Sequence, residues 1–222
     1  GAGLVAAGAS IAAPLAFATN EAIEFESAMA DVKKVVNFET PAALAEMKDD
    51  LMDLSDRIPI AAEGFAQIAA AAGQAGIQRE EIVQFSEDAA KMGVAFDMGA
   101  DQAGGAMTGL RTIFKLTQDG VVSLGDSVNY LSNNMDAKAS NIVDILNRTG
   151  GTGKLIGMTG QEVAALGATF LALKKPPEVA ATGINALLLK LSTAEQQAKP
   201  FQEGLESIGL TARQVKKWMT ED

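Results

Sequence analysis

Apolar residues recur along this chain at steps of three and four, the spacing that places side chains on one face of an α-helix. The clearest case lies between residues 21 and 36, and it predicts a stripe that packs against other helices or against another copy of the chain. The stripe consists of Phe25, Met29, Val32 and Val36. Thr40 and Pro41 follow as the N-cap and first residue of a second helix.

The same spacing continues to the end of the chain, interrupted by Gly, Asn, Asp and Pro, and no run alternates as a strand would. The spacing of a capping box, in which a Thr and an acid or amide three residues later cap each other's backbone, occurs three times. These pairs are Thr159 with Glu162, Thr193 with Gln196, and Thr211 with Gln214. We predict an all-α fold of nine to eleven helices, mostly under about 20 residues, arranged as hairpins in a compact or semi-compact bundle.

Two segments, 73–81 and 167–178, share a glycine turn followed by an acidic helix start, but their residues align too poorly to assign a repeat. The domain organisation that we predict is an apolar helix over residues 1–20 and a helical core domain over 21–222, with a division near 150–158.

Residues 1–20 carry no charge and are rich in Ala and Gly, and the abrupt change at Glu21 suggests a piece of a longer protein. No basic region precedes the apolar run, which argues against a secretory signal. The stripe in this segment predicts a helix that either packs on a neighbour or is membrane-active. Its residues are Leu4, Val5, Ile11, Leu15 and Phe17.

Composition excludes much familiar chemistry, because the chain has no Cys and no His and therefore no thiolate or imidazole for catalysis or metal binding. The net charge of −10 argues against direct nucleic-acid recognition.

Two motifs could indicate a phosphate-binding or catalytic site, but neither has the residues or spacing that such a site requires. Residues Asn147–Lys154 resemble a phosphate-binding loop, but Arg148 and Leu155 stand where that signature needs Gly and Ser or Thr, so we expect a flexible loop between helices. The carboxylate pairs Asp49–Asp50 and Glu80–Glu81 are adjacent, and adjacent residues on a helix diverge. We therefore predict no catalytic, cofactor-binding or metal-binding residue and no enzymatic activity.

The segment Phe25–Phe38, with the sequence FESAMADVKKVVNF, resembles the core region of phage tail tape measure proteins, particularly those of contractile-tailed phages and phage-tail-like bacteriocins. The resemblance continues through Ala61–Gly76, Gly76–Ile82 and Met158–Leu166, and it includes Pro14 and Leu15.

This resemblance implies a structural protein of the virion tail, made in the host cytoplasm, that sets the tail tube length and leaves ahead of the DNA through the bacterial envelope. It implies tail tube and baseplate proteins as partners, homo-oligomers of three or six copies, and contact with the bacterial inner membrane. A membrane-active, pore-forming segment and an unrelated helical scaffold protein are the alternatives. The frequent Gly and Pro breaks further predict a folded segment and not the measuring rod.

Overall fold

The computed structural model describes residues 20–220, which form eleven α-helices and one 3₁₀-helix, with no β-strand among them. The predicted all-α fold of short helices is therefore confirmed, and the longest helix from α2 onward has 18 residues. The helices are α1 (20–35), α2 (Pro41–Arg57), α3 (Ala62–Gln74), α4 (Arg79–Phe96), α5 (Ala100–Phe114), α6 (Gln118–Asn134), α7 (Ala139–Leu155), α8 (Gly160–Ala172), α9 (Pro177–Ser192), the 3₁₀-helix (Ala194–Gln196), α10 (Lys199–Ser207) and α11 (Ala212–Thr220).

The chain divides into two compact units between Thr108 and Gly109, within α5. In the first unit α2, α3 and α4 pack against one another, and in the second α7 packs against α6, α8 and α9 while α11 packs on α9. Residues 150–158 lie inside the second unit, and the division expected there stays a prediction.

Each unit has an apolar core built from the helical stripes. Phe65, Ile82 and Phe85 are fully buried in the first unit, and Leu124 and Ile145 are fully buried in the second. The last helices add a small cluster in which the buried Ala194, Leu205 and Val215 are surrounded by partly buried apolar side chains, namely Leu191, Phe201, Leu210, Ala212 and Met219.

One kind of turn ends six of the helices. In each, a residue with positive φ follows the helix, and the next amide donates to the carbonyl five residues earlier, as Ile77 does to Ala72 at 3.1 Å and Met158 to Gly153 at 2.9 Å. This pattern satisfies carbonyls that the helix end leaves free. The residues with positive φ are Gly76, Asp97, Lys115, Gly157, Lys174 and Gly209.

Two of the three predicted capping boxes are confirmed. Thr159 Oγ1 accepts from the Glu162 amide at 3.2 Å, and the Glu162 carboxylate accepts from the Thr159 amide at 2.8 Å. Thr211 and Gln214 make the same reciprocal bonds, and Thr40 caps α2 ahead of Pro41 as predicted.

The third predicted box, Thr193 with Gln196, is wrong. Thr193 has φ −113° and ψ 27°, which is not the extended backbone of an N-cap, and a 3₁₀-helix follows it. Its hydroxyl donates backward to the Leu189 carbonyl at 2.7 Å.

Glycines inside the helices allow other elements to approach closely. A Cβ on Gly104 would lie 3.2 Å from Ile68 Cα, and a Cβ on Gly150 would lie 2.8 Å from both Ile113 Cγ2 and Phe114 Cζ. The next residue in each helix, Gly105 or Gly151, has nothing within 4 Å of that position. Only the first glycine of each pair is therefore required by packing.

The two neighbouring glycines of α7 should respond oppositely to alanine. We expect Gly151→Ala to stabilise α7 by up to about 1 kcal/mol through helix propensity, whereas Gly150→Ala forces Ile113 and Phe114 apart and costs a net of about 1–2 kcal/mol. Native-state amide hydrogen exchange of α7 measures the change in stability that each substitution causes. Equal effects of the two substitutions would contradict the packing role of Gly150.

The capping box of α8 should make this helix sensitive to acid. Hydrogen bonds from the Thr159 backbone and hydroxyl lower the pKa of Glu162, so its stabilising contribution is present above the pKa of the unfolded chain. That contribution is lost as pH falls through the lower folded pKa. We expect α8 to open more readily between about pH 5 and pH 3, measured by hydrogen exchange.

Glu162→Gln is the matched variant, because Gln214 shows that an amide completes the same box. In this variant, hydrogen exchange of α8 should depend less on pH, because residue 162 no longer titrates. If the pH dependence of exchange were unchanged, other carboxylates would be its cause.

Candidate functional site

The predicted packing stripe of α1 is buried in the first unit. Phe25, Met29, Val32 and Val36 are 6%, 2%, 0% and 7% exposed. A Cβ on Gly73 of α3 would lie 2.7 Å from Val36 Cγ2, so the stripe lies directly against α3. Contact of these side chains with another copy would require the core to open, and an oligomer role for them stays a prediction.

Beside this stripe, α1, α3 and the start of α5 line a cleft of about 410 Å³. Two pairs of its polar groups bind each other, since Lys34 Nζ donates to Asp31 at 2.6 Å and Gln67 Nε2 donates to Glu63 at 2.8 Å. Within the described residues, no three carboxylates lie close enough together to hold a metal ion. The cleft is an acidic surface, with four carboxylates and one lysine among its lining residues.

The glycine-rich segment Asn147–Lys154 is not the flexible loop expected from its composition, because it lies inside α7. A Cβ on Gly150 or Gly153 would come within 2.8 Å of Ile113 or 2.5 Å of Val163. Lys154 Nζ donates to the Phe114 carbonyl at 3.0 Å, so it caps the end of α5. This segment is a packing surface and holds no phosphate loop.

The adjacent carboxylates lie on helix surfaces. Glu80 and Glu81 are in the first turn of α4, as expected. A backbone hydrogen bond at Glu80, and then the Arg79 side chain, lower the pKa of Glu80, which suits a helix start and does not suit a proton donor. Asp49 and Asp50 are exposed on α2.

A groove in the second unit, lined by apolar side chains together with Glu162 and Ser192, was not expected from the sequence. Its volume is about 560 Å³, and its apolar lining consists of Leu155, Ile156, Met158, Trp218 and Met219. Leu155 is 86% exposed and Trp218 is 60% exposed, whereas Lys216 beside Trp218 binds Glu195 at 2.8 Å. The sequence feature that could have indicated it is the run of two lysines and a tryptophan at residues 216–218.

The candidate membrane-active residues Leu4, Val5, Ile11, Leu15 and Phe17 lie outside the described residues. Across residues 20–220, none of the helices has both the length and the apolar character needed to cross a membrane.

Short helices that pack closely through glycine contacts define an all-α protein, and comparison with known proteins identifies its family. Residues 48–221 match the family model of phage-related minor tail proteins, and the chain belongs to this family. It is also similar to a probable tape measure protein of Halomonas phage phiHAP-1, with 32% identity over an alignment of 213 residues that covers 90% of this chain and 25% of that protein. The resemblance to tape measure proteins is therefore confirmed, and no solved structure matches the chain.

The chain spans about a quarter of the length of this relative. Membership of the family makes it a component of a phage tail.

Substitutions in α1 separate internal packing from an interface between copies. Met29→Ala should destabilise the first unit by about 2–5 kcal/mol because it leaves a cavity in the core. Ile23→Ala is the control on the same helix, since Ile23 is 61% exposed, and should change stability by less than about 0.5 kcal/mol. Hydrogen exchange measures the stability of the first unit, and size-exclusion chromatography measures the oligomeric state. A changed oligomeric state with intact stability would instead assign Met29 to an interface between copies.

Proposed function

We propose that this chain is a folded segment of a tape measure protein whose full length sets the length of the tail tube and which leaves the tube ahead of the DNA. Family membership and the similarity to a probable tape measure protein support the role. Within the tail, tube and baseplate proteins are its expected neighbours, and assembly around the tail axis favours three or six copies.

The observation that carries the folded part of this proposal is the length of the helices. Helices α2–α11 have 9 to 18 residues each, and short turns connect most of them. A continuous helix of 200 residues would extend about 300 Å, at about 1.5 Å per residue. A segment whose helices pack back on one another contributes much less to a measured length, so we assign the measuring rod to other parts of the full-length protein.

Changes in the length of the full-length gene test this assignment. In the phage or prophage that encodes the protein, residues 21–220 are deleted in one strain and duplicated in tandem in another. Tail lengths are then measured by electron microscopy. A folded segment predicts tails that differ from wild type by far less than about 300 Å. If the deletion prevents tail assembly, the strain with the duplication still shows whether residues 21–220 contribute to tail length.

The matched control is a deletion or duplication of equal length in a part of the same protein whose sequence predicts one uninterrupted helix. That control should change the tail by about 300 Å. A change of the same size on duplicating residues 21–220 would make this segment part of the ruler. Unchanged tails in the control strains would contradict the length-setting role itself.

A further inference from the structure

Close contacts between helices two positions apart recur at similar separations along the chain. In the first unit, a Cβ on Gly64 would lie 3.0 Å from the Cβ of Ala100, and one on Gly104 would lie 3.2 Å from Ile68 Cα. Both pairs are 36 residues apart. Because two contacts between the same helices have the same separation, α3 and α5 run parallel where they touch.

The second unit repeats this separation. Gly109 contacts Asn147 and Gly150 contacts Ile113, at separations of 38 and 37 residues, so the end of α5 runs parallel to α7. Contacts between consecutive helices are closer in sequence, such as Gly167 with Ile145, whereas four further contacts between elements two positions apart have separations of 36 to 40 residues. They join Gly160 to Leu124, Asn185 to the Arg148 carbonyl, Lys174 to Asp136, and Lys154 to the Phe114 carbonyl.

The common separation defines a structural repeat of two helices and about 38 residues. The helix starts agree with it, since α3, α5, α7 and α9 begin at residues 62, 100, 139 and 177. Helical repeat proteins have periods of about 34 to 47 residues. The repeat rests on helix boundaries and on the separation of contacting residues, and not on matching letters, which is why the sequence alone did not reveal it.

A consequence is that the contacts are local. Among the described residues, the main helix–helix contacts from α2 onward join helices that are one or two positions apart. Within each unit, the stability of such an array is a sum over repeats and their nearest neighbours, so a terminal repeat can open and lose only its own interface.

We propose that this chain unfolds progressively, one helical pair at a time from an end, and not in a single all-or-none step. Opening begins at the C-terminal part of the second unit, because Ala194, Leu205 and Val215 form a small cluster of their own. The repeat and its unfolding are independent of the proposed function. The use of such unfolding, to thread the segment through a narrow tube, rests on that function.

The single tryptophan offers a direct test, because Trp218 lies in the last helix whereas far-UV circular dichroism reports all helices. The 222-residue chain is unfolded in urea and followed by both signals. Progressive unfolding predicts a tryptophan midpoint that is lower by on the order of 1 M urea. All-or-none unfolding requires the two transitions to coincide, and coincidence would overturn the proposal.

Hydrogen exchange detected by mass spectrometry locates the opening. Val215→Asp places a charge in the terminal cluster, and Val179→Asp is the control because Val179 is 55% exposed on α9. We expect Val215→Asp to remove protection from residues 194–220 while helices α2–α8 keep theirs, and the control to match wild type. Equal loss of protection in every helix of the Val215→Asp protein would contradict progressive unfolding, whatever the tail-length experiment shows.

Discussion

Close approach of helices two positions apart depends on residues that lack a side chain at the point of contact. Glycine inside a helix costs about 1 kcal/mol relative to alanine, yet Gly104 and Gly150 occupy such positions. Each permits a contact that a methyl group would obstruct. The gain is dispersion and burial along the facing helix surfaces. Aromatic residues make up only 5% of the sequence, and alanine is frequent among the buried residues beside large side chains such as Phe65 and Phe85.

Local features of the sequence allowed much of the fold to be predicted. The cap at Thr40, the box at Thr159 and the stripe containing Met29 depend on residues within one or two helical turns, and a local pattern contains all the necessary partners. The Gly-rich segment of α7 was mistaken for a loop because its packing partners lie elsewhere in the sequence. Ile113 is 37 residues away from Gly150, outside any local window. The groove at Trp218 was missed for the same reason.

The net charge of the chain conceals an uneven distribution. Residues 1–108 contain 17 Asp and Glu against 6 Lys and Arg, whereas residues 109–222 contain 11 against 12. Most ion pairs are exposed, such as Lys34 with Asp31, whose side chains are 72% and 62% exposed, and such pairs contribute little in water. The acidic surplus therefore belongs to the first unit, and packing of apolar side chains holds that unit together against its own repulsion.

Under the proposed function, the same chain must be stable while folded and must also pass through a tube. A cooperative globule of this size would need its whole unfolding free energy at one moment, which for a domain is about 5–15 kcal/mol. An array with neighbour-only contacts divides that requirement into steps, because each opened pair exposes only its own interface. Glycine contacts suit such an array, since they allow short helices to pack closely. The packing that makes this segment a poor ruler would then make it easy to unravel.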